Sequence, residues 1–176
     1  GDKAIEEGYS FDTAPKLNKE RVAIIGGGPA GLSAAYQLRK MGYASTVFEE
    51  RKELGGMMRY GIPGYRTPRD LLDKEIQRIL DLGDIEVVSG KRVGKDLPLD
   101  DIEKSHDAVL WTIGCWNGKA IPVEGGDATN CITGVDFLEA FCDGRLKVGS
   151  KKVICVGGGD TSIDVVSVAR RLGHIS

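Results

Sequence analysis

The sequence predicts an α/β fold built on a parallel sheet, chiefly because a glycine-rich turn occurs twice in the same setting. The first turn (residues 26–31) and the second turn (residues 157–162) each follow an apolar, strand-like run and precede a helix-like run. Glycine supplies 25 of the 176 residues, about twice its usual share. The order of strand, turn and helix is typical of sheets whose strands run parallel.

The first turn lies within a predicted βαβ unit. Residues 21–25 form an apolar run typical of a buried strand, and residues 32–41 repeat apolar side chains at helical spacing. Gly42 marks the end of that helix, and residues 46–49 are predicted to form the next strand. We therefore expect two neighbouring, parallel strands joined by one helix.

The remaining elements are predicted from similar patterns. Residues 51–66 are so rich in glycine and proline that we expect an extended loop, followed by a helix with Pro68 in its first turn that ends near Leu82. The other predicted elements are strands at 85–88, 107–113 and 152–156, and helices at 135–142 and 162–172. Residues 1–20 are polar and should form a linker with one helical turn near residues 4–7.

Composition excludes several functional classes. The net charge of -2 shows no bias toward nucleic acid or anionic membranes. No apolar stretch approaches the roughly 20 residues of a membrane span, and the first 20 residues lack a signal peptide's apolar core, so we expect a cytoplasmic protein without a membrane partner. The four cysteines show no CxxC spacing, which gives no support for an iron–sulfur or dithiol site within this chain.

The glycines of the first turn have separate roles in dinucleotide binding. Gly26 permits the tight turn, Gly28 lets a pyrophosphate approach the backbone, and Gly31 lets helix and strand pack closely. Glu49 ends the second predicted strand, where a carboxylate can accept both ribose hydroxyls. Glu50 is the alternative if the strand register shifts by one residue. Two such turns in one chain indicate two dinucleotides, typically a flavin and a nicotinamide.

Three further motifs give the sequence a specific resemblance. They are G-G-x-x-R-Y-G-I-P at residues 55–63, Y-R-x-P at 65–68 and V-G-G-G-D-T-S-I-D at 156–164. Together with the βαβ unit, they resemble the small (β) subunit of NADPH-dependent glutamate synthase. The flavin end of dihydropyrimidine dehydrogenase and bifurcating NADH-dependent ferredoxin:NADP oxidoreductases are its relatives. The resemblance extends over essentially the whole chain.

The resemblance implies a truncated flavoprotein with two Rossmann-like dinucleotide-binding domains and the cofactors FAD and NADPH. The expected parts are a linker at 1–20, the N-terminal part of an FAD domain at 21–118, a crossover segment at 119–150 and the start of an NAD(P)H domain at 151–176. We therefore expect a fragment of a larger subunit, or a chain of which only part is ordered. The Thr112-x-Gly114 pattern would mark the crossing between the two domains.

The site residues follow from the glycine turns and from this resemblance. The pyrophosphate of FAD would lie on the first turn, its adenosine ribose on Glu49, and its ring side near Gly56 and Met57, with Arg66 close to the phosphates or the ring. The full set expected around FAD is Gly26, Gly27, Gly28, Pro29, Ala30, Gly31, Glu49, Gly55, Gly56, Met57, Arg66 and Val93. The set expected around NADPH is Gly158, Gly159, Asp160 and Thr161. The choice of NADPH over NADH depends on the resemblance alone.

The sequence offers no catalytic acid, base, nucleophile or metal site, which suits hydride transfer because the cofactor carries that chemistry. The resemblance implies an FAD-dependent NAD(P)H oxidoreductase that passes electrons from NADPH through FAD toward iron–sulfur clusters, with the isolated fragment inactive. Its partners would be an iron–sulfur domain or subunit and a larger catalytic subunit. An uncovered sheet edge would also allow a homo-oligomer. The alternatives are a non-catalytic FAD-binding scaffold and a flavoenzyme of monooxygenase or amine-oxidase type.

Overall fold

The structure is a computed structural model that describes residues 2–12, 18–147 and 152–173. Parts of the predicted linker, the crossover segment and the second domain therefore lie outside the described residues. The chain forms two compact units. Unit 1 consists of Gly1–Met58 and Pro68–Gly114, and unit 2 consists of Arg59–Thr67 and Cys115–Ser176.

Unit 1 contains a four-stranded parallel sheet. Its strands are β1 (Arg21–Ile25), β2 (Ala44–Glu49), β3 (Ile85–Ser89) and β4 (Ala108–Trp111). They lie in the order β3-β2-β1-β4, and Ile24 of β1 is opposite Val47 on one side and Leu110 on the other. The strand order reverses between β1 and β4, which makes the carboxyl ends of these two strands the topological switch point. The predicted α/β fold with a parallel sheet is confirmed.

Helices cover both faces of this sheet. The helices that begin in unit 1 are α1 (Asp2–Glu6), α2 (Pro29–Lys40), α3 (Gly56–Tyr60), α4 (Arg69–Leu80) and α5 (Leu99–Ser105). On one face, Ile24 packs among buried side chains of α2 and α4. On the other, Ala23 and Ile25 pack with Ile102 of α5. Successive residues of a strand point to opposite faces, so β1 is the centre of a three-layer core.

Unit 2 contains two helices among its described residues, α6 (Gly134–Cys142) and α7 (Asp160–Arg171). Phe137 and Leu138 of α6 are buried against Val165 and Val168 of α7. The side chain of Thr133 caps α6 by accepting a hydrogen bond from the backbone N–H of Asp136 at 3.2 Å. The helix that follows the second glycine turn therefore packs on a small hydrophobic core within unit 2.

The structure differs from the sequence prediction at three places. The expected loop at 51–66 contains α3, and α5 was not predicted, because helices of five and seven residues are too short to establish a period. Residues 152–156 form no strand, because no described segment pairs with them. Their side chains nevertheless alternate as in a strand, with Val153 and Cys155 packed on the core of unit 2 while Ile154 is 90% exposed.

Both edges of the sheet in unit 1 are free of a further strand within the described residues, since β3 and β4 are its outer strands. Trp111 of β4 is 52% exposed. Within the described residues, none of the helices is both long and apolar enough to cross a membrane.

Candidate dinucleotide-binding site

The first turn lies at the carboxyl end of β1, between β2 and β4. Gly26 has a φ of 113°, and a Cβ there would collide with the backbone oxygen of Thr112. A Cβ on Gly31, in the first turn of α2, would collide with the backbone oxygen of Gly26. Steric packing therefore requires glycine at both positions, whether or not a ligand is bound. This agrees with the predicted role of Gly26 in the tight turn and of Gly31 in the close contact between helix and strand.

Glu49 ends β2 with its side chain against the first turn. The residue is 6% exposed, and its Oε2 accepts a hydrogen bond from the backbone N–H of Gly27 at 2.8 Å. Its Oε1 accepts another from the N–H of Arg51 at 2.9 Å. Glu50 is exposed, so the carboxylate that contacts the turn is that of Glu49. The sequence predicts that Glu49 binds the ribose. Its hydrogen bond to Gly27 adds a second role that was not predicted, which is to stabilise the conformation of the turn.

A second glycine pair packs directly on the first turn. The N–H of Gly55 donates to the carbonyl of Gly27 at 2.9 Å. Gly56 has a φ of 51°, and a Cβ there would lie 2.7 Å from the Cα of Gly28. This contact brings the start of α3, including the half-buried Met57, next to the turn. The predicted group Gly55, Gly56 and Met57 is thus assembled next to the turn.

The side of the turn that a pyrophosphate would contact is open. Gly28 is the N-cap of α2 with φ −78° and ψ −174°, and a Cβ there would make only an ordinary contact, 3.6 Å from the Cα of Gly56. Pro29 has no N–H, and no side chain of the described residues accepts from the N–H groups of Ala30 and Gly31. Uncapped N–H groups at a helix start attract phosphate oxygens, so the turn fits a dinucleotide.

Two residues complete the surroundings of this turn. Thr112, directly after β4, donates its hydroxyl to the carbonyl oxygens of Gly26 at 2.9 Å and Ile25 at 3.1 Å. The Thr112-x-Gly114 pattern suggested a domain crossing, and this contact with the turn was not predicted. Val93 forms an isolated bridge with Leu97, and its side chain packs on the core beneath β1 and β2.

The second turn, in unit 2, repeats the geometry of the first. Gly159 is the N-cap of α7 with φ −81° and ψ 176°, close to the angles of Gly28. Gly157 has a φ of 129°, and a Cβ there would lie 2.8 Å from the Oγ of Ser162, the residue at the position of the first turn's last glycine. The small serine thus still permits the close contact between helix and turn.

The predicted contacts of the second turn all lie on its open surface. A Cβ on Gly158 or Gly159 would meet nothing within 4 Å. Asp160 and Thr161 are exposed at the start of α7. The four predicted residues are therefore accessible to a ligand along the turn and the first residues of the helix.

Arg66, predicted to contact the flavin, lies in unit 2. Its Nη1 contacts both carboxylate oxygens of Asp164 in α7, at 2.8 and 2.7 Å. Asp164 raises the pKa of the guanidinium above its ordinary value through this hydrogen bond and its charge, and the charge of Asp160 adds to the effect. This ion pair could not be predicted from local sequence, because Arg66 and Asp164 are far apart along the chain.

The described residues contain no group of three or more His, Cys, Asp or Glu side chains placed to hold a metal ion. The chemistry that the two glycine turns support is recognition of dinucleotides. Each turn carries a helix that begins without a side-chain cap.

Comparison with known proteins identifies the family. Residues 20–175 match the pyridine nucleotide-disulphide oxidoreductase family. The chain belongs to this family. Family membership agrees with the parallel sheet and with the pair of glycine turns described above.

Curated relatives confirm the resemblance found in the sequence. The chain is 43% identical over 164 residues to the NADPH-Fe(3+) oxidoreductase subunit beta of Geobacter sulfurreducens, covering 90% of this chain and 24% of that protein. It is 33% identical over 181 residues to the glutamate synthase (NADPH) small chain of Bacillus subtilis, covering 97% of this chain and 36% of that protein. The chain thus spans about a quarter to a third of these relatives.

Among solved structures, FprA of Mycobacterium tuberculosis in complex with NADPH has a TM-score of 0.77 to this chain. The match covers 86% of this chain and 36% of FprA. At 19% sequence identity it establishes the fold.

Proposed function

We propose that this member of the family is part of an FAD-dependent NAD(P)H oxidoreductase, with the FAD site in unit 1 and the beginning of the NADPH site in unit 2. The observation that carries this proposal is the repeated turn, because Gly28 and Gly159 cap their helices with nearly the same backbone angles. A monooxygenase or amine oxidase that binds no nicotinamide dinucleotide would need only one such turn. Relatives named for NADPH-dependent oxidoreduction support the choice.

In unit 1 the chain would bind and orient FAD, which when bound supplies hydride acceptance and single-electron transfer. The N–H groups of Ala30 and Gly31 would receive the pyrophosphate, and the absence of a side chain at Gly28 would let it approach. Glu49 has both carboxylate oxygens engaged by backbone N–H groups, and each oxygen keeps a lone pair for a ribose hydroxyl.

Gly55, Gly56 and Met57 would line the same cofactor from the neighbouring segment, because that segment packs on the first turn. Val93 would contribute through its backbone, since its side chain is directed to the core. The contact of Arg66 with FAD stays a prediction.

In unit 2 the second turn would bind the nicotinamide dinucleotide through Gly158, Gly159, Asp160 and Thr161. The N–H groups at the start of α7 are oriented for phosphate in the same way as those of α2. The choice of NADPH follows the relatives that are named for NADPH, while other relatives are named for NADH or NAD.

The partners we propose are an iron–sulfur domain or subunit that receives electrons and a larger catalytic subunit. Support comes from the relatives, several of which are named as subunits or as a small chain. Among the described residues no further strand pairs with β3 or β4, so these edges would be available for a further strand or a second copy. We propose a cytoplasmic location on the composition.

The test is a spectroscopic titration of the full-length gene product that carries this chain. We expect a flavin absorption spectrum, FAD as the released flavin, and bleaching on anaerobic addition of NADPH. Bound FAD that NADPH and NADH both fail to bleach would favour the non-catalytic scaffold. A folded protein that binds no flavin would contradict the proposal.

A further inference from the structure

Residues Tyr65 and Arg66 attach the segment Arg59–Thr67 to helix α7. The Nη1 of Arg66 contacts Asp164, and the guanidinium of Arg171 lies 3.9 Å from the centre of the Tyr65 ring. Asp164 and Arg171 are seven positions apart, two helical turns, and so lie on the same face of α7. The segment is therefore held to the helix that follows the second turn at two separate points.

The ion pair uses only one end of the Arg66 guanidinium. The side chain of Asp164 is 7% exposed and that of Arg66 is 48% exposed. Both hydrogen bonds to the carboxylate come from Nη1, while Nε and Nη2 donate to no described residue. A buried carboxylate thus fixes an arginine whose remaining donors are available to an external acceptor.

The guanidinium of Arg66 offsets the negative charge at the start of α7. Asp160 is the first residue of the helix, and Asp164 is one turn further along the same face. The backbone N–H of Asp160 would attract a phosphate at the second turn, whereas the carboxylates of Asp160 and Asp164 would repel it. The guanidinium of Arg66 is near enough to Asp160 for the two charges to interact, and it neutralises Asp164 directly.

We propose that Arg66 acts on the second dinucleotide by offering its free Nε and Nη2 donors to a phosphate at the second turn, and that Asp164 is the positioning residue that holds it there. This inference rests on the proposed function, since it takes the second turn as the NAD(P)H site. A planar guanidinium suits a phosphate because it can donate two parallel hydrogen bonds.

The experiment measures the Kd of NADP+ by difference spectroscopy on the FAD-loaded full-length gene product, together with FAD content and steady-state kinetics. Arg66→Ala should weaken NADP+ binding at least tenfold in the FAD-loaded protein, since a hydrogen bond to a charged group contributes about that much. Arg66→Lys should be intermediate, because it keeps the charge and loses the fork. Arg145→Ala is the matched control, an arginine of unit 2 paired with Asp143, and should change neither the Kd of NADP+ nor the FAD content.

Asp164→Asn tests the positioning role. The variant should raise KM for NADPH with little change in kcat at saturation, because it frees Arg66 without removing it. In the double variant Arg66→Ala/Asp164→Asn, the asparagine should add no further loss of NADP+ affinity to that of Arg66→Ala alone. A merely structural aspartate would give additive losses, which would overturn the positioning role.

The double variant also keeps the test valid if Arg66→Ala alone unfolds through its unpaired aspartate, since both charges are then removed together. Normal NADP+ affinity in the folded double variant would overturn the inference. Loss of FAD with unchanged NADP+ affinity would also overturn it and would place Arg66 on the flavin.

The variant Gly159→Ala distinguishes failure of this inference from failure of the proposed function. If it abolishes NADP+ binding while Arg66→Ala does not, only this inference fails; if it has no effect, the proposed function fails.

Discussion

The carboxylate of Glu49 accepts a hydrogen bond from the backbone N–H of Gly27, which joins the end of β2 to the first glycine turn across 2.8 Å. The same carboxylate accepts from the N–H of Arg51 at 2.9 Å. One buried side chain thus fixes two stretches of backbone that surround the candidate FAD site. Glu49 therefore stabilises the conformation of the turn and is also a candidate ligand of the ribose.

Replacing Glu49 by Gln should lower the free energy of unfolding by about 1–3 kcal/mol, because the amide group can accept from only one of the two N–H donors and leaves the other unsatisfied. Urea denaturation of the flavin-free protein measures this loss. Glu50→Gln is the control: its carboxylate is 44% exposed and 3.6 Å from Arg92, so the change should be below about 0.5 kcal/mol. Equal midpoints for the two variants would contradict the role assigned to Glu49.

Gly56→Ala should destabilise unit 1 of the flavin-free protein. Its φ of 51° costs a residue with a Cβ about 1–3 kcal/mol, and the new Cβ would lie 2.7 Å from the Cα of Gly28. Thermal unfolding should show a clearly lowered Tm. Gly64→Ala, where the Cβ would meet nothing within 4 Å, should leave the Tm close to that of the wild type, and a similar drop in both would refute the explanation.

Thr112→Val should weaken the attachment of β4 to the first turn. The substitution keeps the shape and removes the hydroxyl that donates to Gly26 and Ile25, so we expect a loss of about 1 kcal/mol. Thr112→Ser, which retains the donor, should recover most of the loss. Chemical denaturation compares the three proteins, and a serine variant no more stable than the valine variant would show that the hydroxyl is unimportant.

Arg39→Met should destabilise the end of α2. Arg39 is 4% exposed; its Nε donates to the carbonyls of Leu82 and Gly83, and its Nη2 pairs with Asp84 at 3.2 Å. Removing these donors leaves carbonyl groups without a partner and should cost about 1–3 kcal/mol. Lys40→Met, at an exposed position of the same helix, should cost less than about 0.5 kcal/mol in the same denaturation experiment.

The predictable part of the fold is the part in which local sequence and packing agree. The apolar run of β1 and the helical spacing of α2 reflect the core itself, because Ile24 and Leu32 are buried in one cluster. The glycines of the first turn were recognisable because steric collisions at Gly26 and Gly31 exclude every other residue. The position of the site at the carboxyl end of β1 follows from the same motif.

What the sequence did not reveal depends on contacts between distant residues or on short elements. The pair of Arg66 and Asp164 joins positions far apart in the chain, and nothing local to either marks the other. Only Ile102 of helix α5 is buried, and a single buried apolar residue cannot show the helical spacing of apolar side chains. The strand predicted at 152–156 lacks a described partner, and a strand forms only where a neighbour receives its hydrogen bonds.

If the two turns bind two different dinucleotides, FAD content should differ between two matched full-length variants, Gly28→Ala and Gly159→Ala. Each new Cβ fits the fold, with an ordinary contact at Gly28 and open space at Gly159, and each would obstruct a pyrophosphate. We expect Gly28→Ala to lose its FAD while far-UV circular dichroism remains unchanged. Gly159→Ala should keep its FAD and resist reduction by NADPH. Full FAD content in Gly28→Ala, or normal reduction of Gly159→Ala at low NADPH, would contradict the account.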